Sequence, residues 1–160
     1  MAFGQYKEIR YATDGIPPAN LTDFSLPLWI TTDADIAAEL GSGGGIKVTS
    51  ADGLTDLPFG LYPSTNLAAG TVHGRFLGSP LTAASIGDVI ARLYYDAGES
   101  TVEDKAGVVA NDYVVFMPLE EDPSGSAPQI YDWVSESNLG TTNGGMSSGQ
   151  LAAIEDRSDK

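Results

Sequence analysis

The sequence predicts an all-β protein: an antiparallel, jelly-roll-like β-sandwich with a short helix or two and an extended acidic C-terminal arm. Three observations point there. Apolar and polar residues alternate in short runs through most of the first 119 residues, the period of a half-buried strand. Turn formers separate those runs, with 19 Gly and 9 Pro among 160 residues,. Helical signals are confined to two short segments.

The opening Tyr6-Lys7-Glu8-Ile9-Arg10-Tyr11 fits a strand with Ile9 and Tyr11 inward. In residues 24–31, Phe24, Leu26, Leu28 and Ile30 share one face, and Ser25, Pro27, Trp29 and Thr31 the other. Pro27 has no N–H for a ladder, which places this strand at an edge or turns Pro27 outward. Asp33 to Leu40 reads as a two-turn helix, with Thr32 or Asp33 as N-cap and Gly41 just past its end,. Ile46 to Thr49 alternates and is closed by the turn signal Ala51-Asp52-Gly53,. Leu57, Phe59 and Leu61 alternate with Pro58, Gly60 and Tyr62. Val72, Gly74 and Phe76 alternate with Thr71, His73 and Arg75. Val89 to Tyr95 is a dense run suited to a central strand covered on both faces,. Ser100 to Lys105 reads as a further helical turn, and Tyr113 to Met117 as a last strand. About seven strands with little helix indicate a sandwich over residues 1–119.

The composition changes near residue 120. Eight acids (Glu120, Glu121, Asp122, Asp132, Glu136, Glu155, Asp156 and Asp159) face only Arg157 and Lys160, a local charge of −6. Gly, Ser and Thr crowd residues 140–149. Residues 120–160 therefore read as an arm that needs a surface to lie on.

Charge and rare residues exclude several classes. The chain has 22 acidic and 8 basic residues, a net charge of −14. Such a chain repels polyanions, so no nucleic-acid partner is expected. There is no Cys and a single His, His73. That removes a disulfide scaffold, a thiol nucleophile and a multi-histidine metal site. No run approaches a membrane span. The first ten residues lack an apolar stretch after their charges, so no secretory signal is expected, and the sequon Asn20-Leu21-Thr22 reads as coincidence.

No motif carries a reaction. Gly145-Met146-Ser147-Ser148-Gly149 matches G-x-S-x-G, but Ser and Gly surround it where a nucleophile elbow needs an apolar strand before it,. His73 lies on the polar face of its strand, with no partner identifiable from spacing. Asp33-Ala34-Asp35 and Glu120-Glu121-Asp122 are rich in oxygen, but neither has the spacing of a calcium loop, and Asp33 or Asp35 is more simply a helix cap. Residues 41–45 are glycine-rich without phosphate-loop spacing. No carboxylate pair stands out as a glycosidase acid and nucleophile. The reading is no enzyme, no catalytic residue, no metal and no cofactor. Trp29, Tyr62 and Tyr94 lie opposite or outside the apolar faces, where a sugar ring stacks or where a loop or another subunit covers the ring; they are the candidate ligand residues.

In order along the chain, these segments resemble a bacterial and phage β-sandwich module that typically precedes a concanavalin-like, laminin-G-type lectin domain. Tyr6-Lys7-Glu8-Ile9 and Leu21-Thr22-Asp23-Phe24-Ser25-Leu26-Pro27-Leu28 match its opening. Ile46 to Gly53, Leu57-Pro58-Phe59-Gly60-Leu61-Tyr62, Val72-His73-Gly74-Arg75-Phe76 and Ile90 to Asp96 match its later strands. Tyr113 to Gly125 matches the junction, and Tyr131 to Gly144 the start of the lectin-like part. Gly60 and Tyr62 stand where the family pattern has glutamates, and Phe116-Met117-Pro118-Leu119 replaces its Trp-His-Leu. Only the beginning of the lectin-like part is present, so a sugar or calcium site on its later strands is not carried over.

The resemblance implies a non-enzymatic structural or adhesive virion module: a fibre, spike or decoration component of a phage particle. Such a protein is made in the host cytoplasm and is extracellular when mature. Its partners would be further copies of itself and other virion proteins, with no membrane and no nucleic acid. The alternative is a carbohydrate-binding module for cell-surface or extracellular glycans.

Overall fold

A computed structural model describes residues 4–11, 25–78, 87–109, 116–118, 130–135 and 137–140. The expectations for Asn20 to Phe24, Tyr113 to Val115, Glu120 to Asp122 and Gly145 to Gly149 lie outside these residues.

Six strands form two three-stranded antiparallel sheets. β1 (Gln5–Arg10), β6 (Val89–Asp96) and β3 (Gly45–Ser50) make the first, with β6 central. β2 (Ser25–Ile30), β5 (Val72–Leu77) and β4 (Phe59–Leu61) make the second, with β5 central. Among these six, only β4 and β5 are neighbours both in sequence and in their sheet; the other connections cross between sheets. A further pair, β7 (Ile130–Asp132) and β8 (Ser137–Gly140), follows.

The period of two places the core. Leu26 and Leu28 of β2, Val72 and Phe76 of β5 and Phe59 of β4 point inward from one sheet. Ile46 and Val48 of β3 and Ala91, Leu93 and Tyr95 of β6 meet them from the other. Ile9 and Tyr11 pack against this core, as their spacing predicts. Pro27 lies on an edge strand. The dense run at 89–95 is central, but only one of its faces is fully buried: Arg92 and Tyr94 remain half-buried on the other. Ile90, on the same side of the strand as Arg92 and Tyr94, is buried.

α1 (Ala34–Leu40) adds Ile36 and Leu40 to the core. Asp33 is its N-cap: the carboxylate accepts the N–H groups of Asp35 and Ile36, both at 3.0 Å,. Thr32 before it takes φ 57°, an uncommon value for a β-branched residue, where the chain turns from β2 into the helix,. Gly70, at φ 70°, follows the 3₁₀ turn Leu67–Ala69 and accepts the Asp33 N–H at 3.0 Å. The turn expected at Ser100 to Lys105 begins later. It is α2 (Lys105–Val108), capped by Asp104, whose carboxylate accepts the Gly107 N–H at 2.8 Å. Phe116 to Pro118, the end of the last expected strand and the residue after it, are not in a strand.

A second apolar cluster lies outside the sandwich. Tyr62, Val108, Val109 and Trp133 are buried together, with Phe116, Tyr131 and Val134 packed against them. Trp133 lies against Gly60 of β4, so this cluster covers part of the outer face of the β2-β5-β4 sheet. The described part of residues 120–160 therefore contributes a buried residue to the body. Asp132 anchors it: its carboxylate accepts the N–H groups of Phe116, Val134 and Ser135 and the Ser135 hydroxyl.

Candidate functional site

Among the described residues, the two sheets end differently on their two sides. The β3 edge is sealed: Val48 accepts the Leu57 N–H, Thr55 accepts the Ser50 N–H, and the Thr101 hydroxyl accepts the Ile46 N–H. The β4 edge is sealed as well, with Phe59 accepting from Asp104 N and Glu103 accepting from Leu61 N at 2.6 Å. Among the described residues, no backbone–backbone hydrogen bond reaches the outward edge of β1 or β2.

The outer faces differ in the same way. The β2-β5-β4 sheet wears the Trp133 cluster on its β4 side. The β1-β6-β3 sheet has Tyr6, Tyr94 and Lys47 in one cross-strand row and Glu8, Arg92 and Thr49 in the next, where Thr49 is fully buried. Tyr6 is 44% exposed. The rings of Tyr6 and Tyr94 lie 5.1 Å apart, the Arg92 guanidinium stands 4.8 Å above the Tyr6 ring, and the Lys47 ammonium is 5.8 Å from the Tyr94 ring. Arg92 also donates to the Asp52 carbonyl at 3.2 Å, while its Nε is buried without a partner. Arg10 pairs with Glu8, and Lys47 with Asp56. Three cations thus stand among Glu8, Asp52 and Asp56, so this patch is close to neutral on a chain of charge −14.

The three aromatic candidates separate. Trp29 is 59% exposed and stacks flat on His73, its direct cross-strand partner, with centroids 3.6 Å apart and planes 6° from parallel. Tyr62 is 6% exposed, its ring 5.5 Å from that of Trp133, which covers it. Tyr94 is half-buried in the outer row just described. No two of the three share a site.

His73 is held on several sides. Its Nδ1 meets the Ser64 hydroxyl at 3.1 Å, and its backbone is bracketed by the Thr65 hydroxyl, which donates to the His73 carbonyl and accepts its N–H. Its Nε2 is buried without a hydrogen-bond partner. A general base needs a nitrogen open to substrate; here one is engaged and the other enclosed.

A cleft of about 510 Å3 opens where Tyr62, Tyr131 and Trp133 meet Glu103 and Lys105. The Lys105 ammonium sits 5.6 Å from the Tyr131 ring, 5.7 Å from the Trp133 ring and 3.4 Å from the Glu103 carboxylate. The chain's own lysine thus lies over the aromatic walls. Residue spacing gave no sign of this group, because it joins segments that are distant in the chain.

Three acids have pKa values displaced by local hydrogen bonds. Burial pushes Asp33 up, but the Ile36 N–H and Lys7 outweigh it, and its pKa falls below the usual range. Asp52 is lowered by the Ser50 hydroxyl and the Leu54 N–H. Asp132 is lowered by the Ser135 hydroxyl and the Phe116 N–H. Among the described residues, no group of three His, Cys, Asp or Glu is placed to hold a metal, and no helix is long and apolar enough to cross a membrane. No family model, curated protein or solved structure matches the chain.

Proposed function

We propose that this chain is a non-enzymatic module that works by association: a structural or adhesive component of a phage particle that assembles with copies of itself and with other virion proteins. The observation that carries the reading is the asymmetry of the sandwich. One side is sealed and one outer face partly covered. The β1-β6-β3 face carries the exposed Tyr6 beside the half-buried Tyr94, with an arginine over the Tyr6 ring. Tyr and Arg are enriched where interfaces are tight. Neutrality makes this face the place where two copies of a strongly acidic chain repel least. The order of motifs supports the phage setting, through the resemblance to the module that precedes lectin-like domains.

Light scattering of the full chain over a concentration series tests the reading. The expected result is a defined oligomer that dissociates when Tyr6→Ala and Arg92→Ala are combined. A chain that stays monomeric throughout, or a double variant of unchanged mass, overturns it.

A further inference from the structure

The geometry points to Trp29 as the stacking platform of a binding site for a neutral saccharide ring, on the outer face of the β2–β5 pair. This site lies on the opposite sheet from the association face and stands independently of it. Its first support is order. An indole left 59% exposed on an edge strand is normally free to change rotamer, which a ligand would have to arrest,. Here the imidazole of His73 lies parallel at 3.6 Å. That imidazole is fixed in turn by the Ser64 hydroxyl at Nδ1 and by two bonds between the His73 backbone and Thr65. His73 therefore serves as a positioning residue. It occupies one face of the indole and leaves the other to solvent.

The second support is chemistry. The Ser64 and Thr65 hydroxyls lie against His73, the partner of the indole, and the exposed Thr31 and Thr32 follow Trp29 along the chain. Of the cations on this face, Lys105 stands on the β4 side beside Gly60, and Arg75 is turned to Ser25, donating to its hydroxyl at 2.9 Å and its carbonyl at 3.1 Å. An anionic ligand would also meet the field of a −14 chain,. A ring with apolar C–H faces and a hydroxyl rim suits a bare indole face followed along the chain by hydroxyls. The Trp133 cluster covers the β4 side of the same sheet, while on the β2 side Trp29 remains 59% exposed.

The test is calorimetric titration of the full chain with maltohexaose, cellohexaose, chitohexaose and a mannan oligosaccharide, read in parallel by tryptophan emission. At least one should bind saturably and shift the emission. Trp29→Ala should weaken it about tenfold or more, the loss of one aromatic contact. Trp29→Phe should retain part of the affinity, separating loss of the platform from loss of the fold, and His73→Ala should weaken binding by freeing the ring. Affinity should hold at high salt. Failure of all four saccharides, binding unchanged in Trp29→Ala, or binding abolished by salt overturns the inference. Oligomer mass should be unchanged in Trp29→Ala; if it falls, Trp29 is a subunit contact and the saccharide site is refuted.

Discussion

Trp133 lies so close to Gly60 that a Cβ on the glycine would sit 2.8 Å from its indole. The missing side chain is the seat of the ring. Gly60→Ala forces the ring or the Lys105 stem beside it to move and should cost about 1–3 kcal/mol, as overpacking does. Trp133→Ala empties the site and should cost about 3–5 kcal/mol. Denaturant unfolding measures both. A Trp133→Ala midpoint equal to that of the parent chain would mean that the second cluster does not support the sandwich. Ending the chain at residue 119 should destabilise it in the same way, since Trp133 goes with the deleted part.

Gly70 and Gly87 both have positive φ, at 70° and 80°, but differ in surroundings. A Cβ at Gly70 would meet the Asp33 carbonyl oxygen at 2.0 Å, while at Gly87 nothing lies within 4 Å. Gly87→Ala should therefore cost only the backbone strain, about 1 kcal/mol. Gly70→Ala should cost clearly more, because the Asp33 N–H to Gly70 carbonyl bond cannot form without displacing the helix cap. Thermal unfolding of the two variants gives the order, and equal losses would show that the cap is not held by this contact.

Asp132 and Asp33 both have pKa values below that of an unfolded aspartate, about 3.9,. A depressed folded-state pKa contributes stability that is fully present above the unfolded value and lost as pH falls through the folded one. Stability should hold from neutral pH down to about 4 and fall below it. Asp132→Asn cannot carry the charge, so its loss on acidification should be smaller than that of the parent chain. Urea midpoints through the acid range decide this; parallel curves would remove Asp132 as a cause.

Copies with a charge of −14 repel one another through the solvent. Association through the nearly neutral Tyr6–Arg92 face should therefore tighten as salt rises from about 0.01 to 0.15 M, where the screening length drops from ~30 to ~8 Å. Sedimentation velocity at two salt concentrations measures it. Weakening with salt would mean that ion pairs between copies, rather than the tyrosine face, hold them.

Asp33→Ala removes the acceptor for two N–H groups of α1 and one of the two acids around Lys7. The lost cap should cost about 1 kcal/mol, seen as a lower unfolding midpoint. Asp33→Asn, which keeps an acceptor oxygen, should recover part of it.

The alternation of the sequence was enough to place β1 to β6 and the inward Ile9 and Leu28, and its residue types narrowed Pro27 to an edge or an outward position and the cap to Thr32 or Asp33. These depend on residues one, two or three positions apart, and local spacing encodes them. Which outward aromatics remain outside was decided by the tertiary structure. Tyr62 and Trp29 look alike in their strands, but Tyr62 lies under Trp133, from a remote segment, while Trp29 meets His73 across the β2–β5 register. A strand's period of two says that two faces exist and which is apolar. What covers the second face depends on register and chain crossings between distant segments, and those are set only when the sheets pair and pack.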